Sequence, residues 1–261
     1  MVNDLINTIL ISMTKKLALF YFVFTLFLIL FSSCGQKENN QDIIKTNDTI
    51  KVLPEGEFTY NLPCRVVYIH QEKEGKSILF VWLHGGVHDR RLHDFGEFNH
   101  LQCTEADDNI LKYLREKDVK SIILFPICHK AENVNCVTWK DCFTDIKWMI
   151  DDYINKDLVD SKRIYLGGSS DGGVGTWDFL EIQENLFAAA MPMSCANPRK
   201  TSIPVYFFNT KSESDCSDRV NALNKQGCKI EYKHCTQYKH GGDGAECTFD
   251  FLDMFFSNIN N

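Results

Sequence analysis

Residues 163–180 constrain the fold more than any other stretch of the chain. Arg163-Ile164-Tyr165-Leu166-Gly167 reads as a strand and Val174-Gly175-Thr176-Trp177-Asp178-Phe179-Leu180 as a helix, with Gly168-Ser169-Ser170-Asp171-Gly172 between them. A strand handed to a helix through G-x-S-x-G turns so sharply that the central serine sits in a strained backbone conformation, its hydroxyl exposed above the sheet. Bulky side chains on either flank would collide with neighbouring backbone, so glycine fits at 168 and 172. This is the pattern of a nucleophile elbow, and it makes Ser170 a candidate nucleophile.

The rest of the chain repeats the alternation. Strand candidates fall at 64–70, 77–84, 121–125, 163–168, 188–194, 204–209 and 229–234, and helix candidates at 105–116, 143–155, 173–184, 217–226 and 249–259. Ile110, Leu111 and Leu114 recur at helical spacing, as do Ile146, Met149, Ile150 and Tyr153. The runs 78–83 and 122–125 are apolar at every position, as strands covered on both faces of a parallel sheet must be. Strand–helix alternation of this kind predicts an α/β class, a doubly wound and mostly parallel sheet in a single domain.

The first 33 residues have a different character. Lys15 and Lys16 precede an apolar run from Leu17 to Phe31, interrupted only by Thr25. At 15 residues it suits a secretory leader better than a membrane span, which needs about 20. The run ends in Leu30-Phe31-Ser32-Ser33-Cys34-Gly35, small residues before a cysteine, as in a bacterial lipoprotein leader with Cys34 as the lipid-bearing first mature residue. The expected organisation is therefore a leader at 1–33, a polar flexible spacer at 34–56 and a folded domain at 57–261. The expected location is the bacterial cell envelope, membrane-anchored through lipid and facing the periplasm or the cell surface.

Composition narrows the partners. The formal net charge is −7, and loss of Lys15, Lys16 and Asp4 with the leader makes the remainder more acidic still. With no basic cluster, nucleic acid is not an expected partner. Of 11 cysteines, ten remain once Cys34 is assigned to lipid. An even number in an exported chain predicts disulfides, at least two and up to five, with Cys136–Cys142 a candidate staple and Cys216, Cys228, Cys235 and Cys247 crowded near the C-terminus.

A serine hydroxyl needs a base and a group to orient that base. Two histidines follow Ser170. His234 alternates within a strand-like run, whereas His240 lies in the loop Tyr238-Lys239-His240-Gly241-Gly242-Asp243-Gly244 and is the preferred base. The orienting carboxylate should follow the strand at 204–209, where both Glu213 and Asp215 stand; distance from the strand end narrowly favours Glu213, and Asp215 could instead cap the next helix. Donors for a negative oxygen are expected from the backbone N–H of Asp171 and from Gly86, or Val87, in the loop Trp82-Leu83-His84-Gly85-Gly86-Val87. His84, His88, His93 and His100 with Asp89 and Asp94 could in principle form a metal cluster, but no H-E-x-x-H or comparable pair is present, so neither metal nor cofactor is expected.

On these residues the chain resembles the α/β-hydrolase superfamily, chiefly its polyhydroxybutyrate-depolymerase-like, feruloyl-esterase-like and prolyl-oligopeptidase-like branches. Tyr165 through Trp177 is similar to their elbow, the His-Gly-Gly loop to that of lipases and esterases, and His240 with its aromatic-rich last helix to their C-terminus. Those branches commonly carry His-Gly where this chain has Asn209-Thr210. The resemblance implies a serine hydrolase acting on an acyl ester, small or polymer-borne, through a fairly open site. A peptidase with the same triad and a catalytically silent glycan- or protein-binding relative are the alternatives.

Overall fold

The computed structural model describes residues 49–53, 62, 64–86, 105–128, 138–237, 240 and 244–260, all within the compact unit Asn47–Asn261. Eight strands form one sheet: β1 (Thr49–Leu53), β2 (Cys64–Ile69), β3 (Ser77–Leu83), β4 (Ser121–Pro126), β5 (Val159–Ser169), β6 (Ala189–Met193), β7 (Pro204–Thr210) and β8 (Lys229–Cys235). Their spatial order is β1-β2-β4-β3-β5-β6-β7-β8. The β4–β3–β5–β6–β7–β8 pairings are parallel, and β2 runs antiparallel to both β1 and β4. The described helices are α1 (Glu105–Glu116), α2 (Trp139–Asn155), α3 (Asp171–Gln183), α4 (Ser217–Asn224) and α5 (Gly244–Ser257).

Strand periodicity divides the core between the two faces. Along β3, Leu79, Val81 and Leu83 face one way and Ile78, Phe80 and Trp82 the other, and every residue of the strand is buried. The first face is covered by Ile146, Met149 and Ile150 of α2, Trp177 and Phe179 of α3, and Val220 and Leu223 of α4. The second is covered by Ile110, Leu111 and Leu114 of α1 and by Leu252, Phe255 and Phe256 of α5. Tyr165 joins strand to helix on that face: its ring meets Phe255 and Phe256, and its hydroxyl donates to the Phe256 carbonyl at 2.9 Å. The doubly wound, mostly parallel sheet is the one expected.

The elements differ from the sequence reading chiefly at four places, the first being β5, which begins at Val159 rather than 163. β1 lies within the stretch read as spacer, so the sheet begins before residue 57. Helix α2 begins at Trp139 rather than 143, because the Asp141 carboxylate accepts the Thr138 backbone N–H at 2.9 Å and closes the first turn. α5 begins at Gly244 rather than 249.

The cysteines also depart from expectation. Cys64, Cys128, Cys142, Cys195, Cys216 and Cys228 are buried thiols outside any disulfide, all in one apolar layer, where a thiol packs as a small hydrophobe. Five bonds are thus excluded, and so is a Cys136–Cys142 staple. Cys235 is disulfide-bonded, and its partner is none of those six. Burial pushes the Cys64, Cys195 and Cys216 thiols well above the ordinary thiol range. Cys34 and the leader lie outside the described residues; among those described, no helix is long and apolar enough to cross a membrane.

Candidate active site

Ser170 is the N-cap of α3, at φ 58° and ψ −118°. A non-glycine residue in that region costs on the order of 1–3 kcal/mol and persists only where the surroundings over-determine it. Here its N–H donates to Met193 of β6 at 2.9 Å and its carbonyl accepts Val174 N–H at 3.0 Å. Gly172 permits the turn, since a Cβ there would lie 1.8 Å from the carbonyl oxygen of Leu83, the last residue of β3. The elbow is therefore interlocked with the end of the neighbouring strand.

The loop leaving β3 presses against the serine. A Cβ on Gly85 would sit 3.0 Å from Ser170 Cβ, which only glycine avoids. The loop is pinned by His84, 2% exposed. Its Nε2 accepts the Cys128 backbone N–H at 3.1 Å, which puts the ring proton on Nδ1, and Nδ1 donates to the Gly85 carbonyl at 2.7 Å. The indole N–H of Trp139 donates to the His84 carbonyl at 3.1 Å. Both ring nitrogens of His84 are thus engaged in structure. His88, Asp89, His93, Asp94 and His100 fall outside the described residues, as does Val87; among those described, no group of three or more candidate metal ligands is found.

At the far side of the elbow, His240 Nε2 lies 3.0 Å from Ser170 Oγ, and its Nδ1 lies 2.5 Å from Glu213 Oε1. Glu213 sits in the turn that follows β7, its side chain 10% exposed. Its other oxygen, Oε2, accepts the Thr210 backbone N–H at 2.8 Å and the Thr210 hydroxyl at 2.7 Å. Burial pushes this carboxyl up, but the hydrogen bonds from His240 and Thr210 outweigh it and hold it below the usual carboxylate range. The His240 backbone N–H donates to Ser212 Oγ at 3.0 Å.

The other two candidates lie elsewhere. Asp215 Oδ1 accepts the Ser217 N–H at 2.9 Å and hydroxyl at 2.6 Å at the start of α4, but the N-cap itself is Cys216, one residue later than the cap considered for Asp215. His234 donates from Nε2 to the Thr210 carbonyl at 2.8 Å and is not in contact with Ser170. Sequence reasoning gave no structural role to Thr210, Ser212 or Asn209, and weighed the His84 side chain only as a metal ligand. Asn209 is fully buried, accepting Cys195 N–H at 3.1 Å and donating to the Ser214 carbonyl at 3.2 Å, which ties the acid turn to the end of β6. A buried asparagine at a strand end is the one signal that could have marked it.

Chemically, the arrangement is a hydroxyl, an imidazole and a carboxylate in hydrogen-bonded series. With Nδ1–H given to Glu213, Nε2 is left as an acceptor facing the serine proton. Asp171 opens α3, so its amide lies at the positive end of that helix, while Gly86, at φ 70°, continues the loop pressed against Ser170.

No protein-family model matches the sequence, and no curated protein matches it. Solved structures do. A thermostable esterase superposes with a TM-score of 0.56 at 18% identity, over 81% of this chain and 63% of the esterase, so the chain spans somewhat less than two thirds of it. The feruloyl esterase module of Clostridium thermocellum, complexed with sinapinate, superposes at 0.57 and 13% identity, over 83% of this chain and 90% of the module. A ferulic acid esterase superposes at 0.58 and 12% identity, over 81% and 98%. At such identities the likeness is one of fold: the chain has the α/β-hydrolase fold.

Proposed function

We propose that the protein is a serine hydrolase that cleaves carboxylic esters through an acyl-enzyme on Ser170. The observation that carries this reading is the unbroken series Ser170–His240–Glu213 at 3.0 and 2.5 Å. That similar folds are named as esterases supports an ester rather than an amide. In this mechanism Ser170 Oγ attacks the acyl carbon while His240 Nε2 takes its proton, and the amides of Asp171 and Gly86 stabilise the negative oxygen that forms. His240 returns the proton to the departing alcohol, leaving the acyl group on Oγ. Water then attacks that ester, giving a proton to His240, and Ser170 recovers its own as the carboxylic acid leaves. Glu213 holds the imidazole in the tautomer that both halves require. No metal or cofactor enters any step.

The test is labelling with a fluorophosphonate probe. The folded wild type should be labelled at Ser170 and should hydrolyse p-nitrophenyl acetate, and Ser170→Ala should do neither. A folded wild type that resists the probe would indicate a silent binder.

The proposed setting is the cell envelope, with lipid on Cys34 holding the domain at a membrane. The charged and apolar pattern of residues 15–34 supports it. The protein should then fractionate with membranes, and Cys34→Ala should lose lipid labelling; a variant that matures normally and stays bound would exclude this tether.

A further inference from the structure

The side chain of Thr210 touches more of this site than any sequence motif suggests. It is fully buried at the end of β7, and its hydroxyl serves two partners at once. As donor it meets Glu213 Oε2 at 2.7 Å, beside the backbone N–H of the same residue on the same oxygen. As acceptor it takes the Ser212 N–H at 3.2 Å, and Ser212 Oγ in turn receives the backbone N–H of His240 at 3.0 Å. Behind it, the Thr210 carbonyl accepts from His234 at 2.8 Å.

We propose that Thr210 is a positioning residue that sets the acid and the base together, its one hydroxyl fixing the Glu213 carboxylate and, through Ser212, the loop that carries His240. This rests on the triad reading above. With both Oε2 lone-pair directions occupied from Thr210, Oε1 is the oxygen left to face His240, and the carboxylate cannot rotate without breaking two bonds. A buried carboxylate held by two neutral donors stays ionised without a cation beside it. The ionisable groups that Glu213 meets are His240 in front and the buried thiol of Cys195 at the end of β6.

Thr210→Val keeps shape and removes the hydroxyl; Thr210→Ser keeps the hydroxyl. In Thr210→Val, kcat should fall about 10–100-fold with KM little changed, as expected for loss of a hydrogen bond to a charged group in the transition state. The pH at which Glu213 takes up its proton should rise, because one of the donors that hold it ionised is gone. Thr210→Ser should restore both. A second readout needs no turnover: the ¹³C carboxyl resonance of Glu213 in full-length protein, assigned by its absence in Glu213→Gln, should titrate at higher pH in Thr210→Val than in the wild type. An unmoved Glu213 titration in Thr210→Val, or a Thr210→Ser variant as impaired as Thr210→Val, would overturn the proposal. If the titration moves but the wild type hydrolyses no ester and resists the probe, the hydrolase reading falls and the role of Thr210 stands.

Discussion

Two histidine–carboxylate pairs lie around the C-terminal ends of β7 and β8, and the chain between residues 213 and 240 supplies all four members. In one, His240 and Glu213 are 2.5 Å apart, and the carboxylate is nearly buried with its second oxygen held by Thr210. In the other, His234 Nδ1 and Asp215 Oδ2 are 3.8 Å apart, the carboxylate side chain is 55% exposed, and it is the far oxygen, Oδ1, that is committed to Ser217. Residue types are alike, yet only the first faces Ser170. What separates them is how each carboxylate is held: one is fixed by its own strand end with its second oxygen within hydrogen-bond distance of the ring, the other is tied to a helix start and leaves its second oxygen exposed and beyond hydrogen-bond distance of the ring. A histidine beside an acid is common; an acid whose spare oxygen has nowhere else to point is what makes a base oriented enough for catalysis.

The comparison breaks most severely at His240. His240→Ala should lower ester hydrolysis by about 10⁴-fold or more, as should Ser170→Ala, while His234→Ala should leave turnover within about tenfold. Near-wild-type turnover in His240→Ala would shift suspicion to His234.

A sharper version replaces each carboxylate by its amide. In Glu213→Gln the two Thr210 donors select the amide oxygen for the Oε2 position, so the NH₂ must face His240 Nδ1. That forces the ring proton onto Nε2, where it opposes the serine proton instead of accepting it, and activity should fall about 10³–10⁴-fold. In Asp215→Asn the amide oxygen can stay on Ser217 while the NH₂ turns toward His234 Nδ1, an acceptor because Nε2–H is given to Thr210. Activity should remain within about threefold. Equal losses in the two amides would erase the distinction drawn here.

The smallest expected effect concerns acid stability. Both carboxyls titrate below their ordinary range: Asp215 chiefly through its bonds to Ser217, Glu213 through His240 and Thr210 against its burial. A carboxyl lowered on folding contributes stability above its unfolded pKa and loses it as pH falls through the folded value. Melting temperature should therefore decline as pH falls below the ordinary carboxylate range, about 4. Glu213→Gln should flatten that decline more than Asp215→Asn, since Asp215 is exposed to solvent.

The legible parts of the molecule were those written in local pattern. The unbroken apolar runs of β3 and β4 announced a sheet covered on both faces, and the glycines around Ser170 announced the elbow. His240 stood out because it follows the last strand in a glycine-rich loop. The choice between Glu213 and Asp215 was not legible, because it turns on which carboxylate the Thr210 end of β7 engages. His84 was equally opaque: the amide that fixes its tautomer belongs to Cys128, 44 residues away. β1 was missed although Thr49-Ile50-Lys51-Val52 alternates polar and apolar residues as a strand does, because five residues beside a polar stretch make too short a pattern to stand out. Counting cysteines set the upper bound of five cross-links too high, since pairing depends on which thiols meet, and six of these meet apolar side chains instead.

Those six thiols set a condition on how the chain acquires its fold. Within the finished molecule all six are buried, and burial holds the thiols of Cys64, Cys195 and Cys216 above the ordinary range, where little thiolate forms for an oxidant to attack. Before folding they are six ordinary cysteines, as reactive as the one at 235 that ends up cross-linked. A chain maturing where disulfides form is then in a race, for any bond made by one of the six must be undone before its strand or helix can enter the core. Residues that lie buried in the native domain thus make its folding sensitive to how soon oxidation arrives.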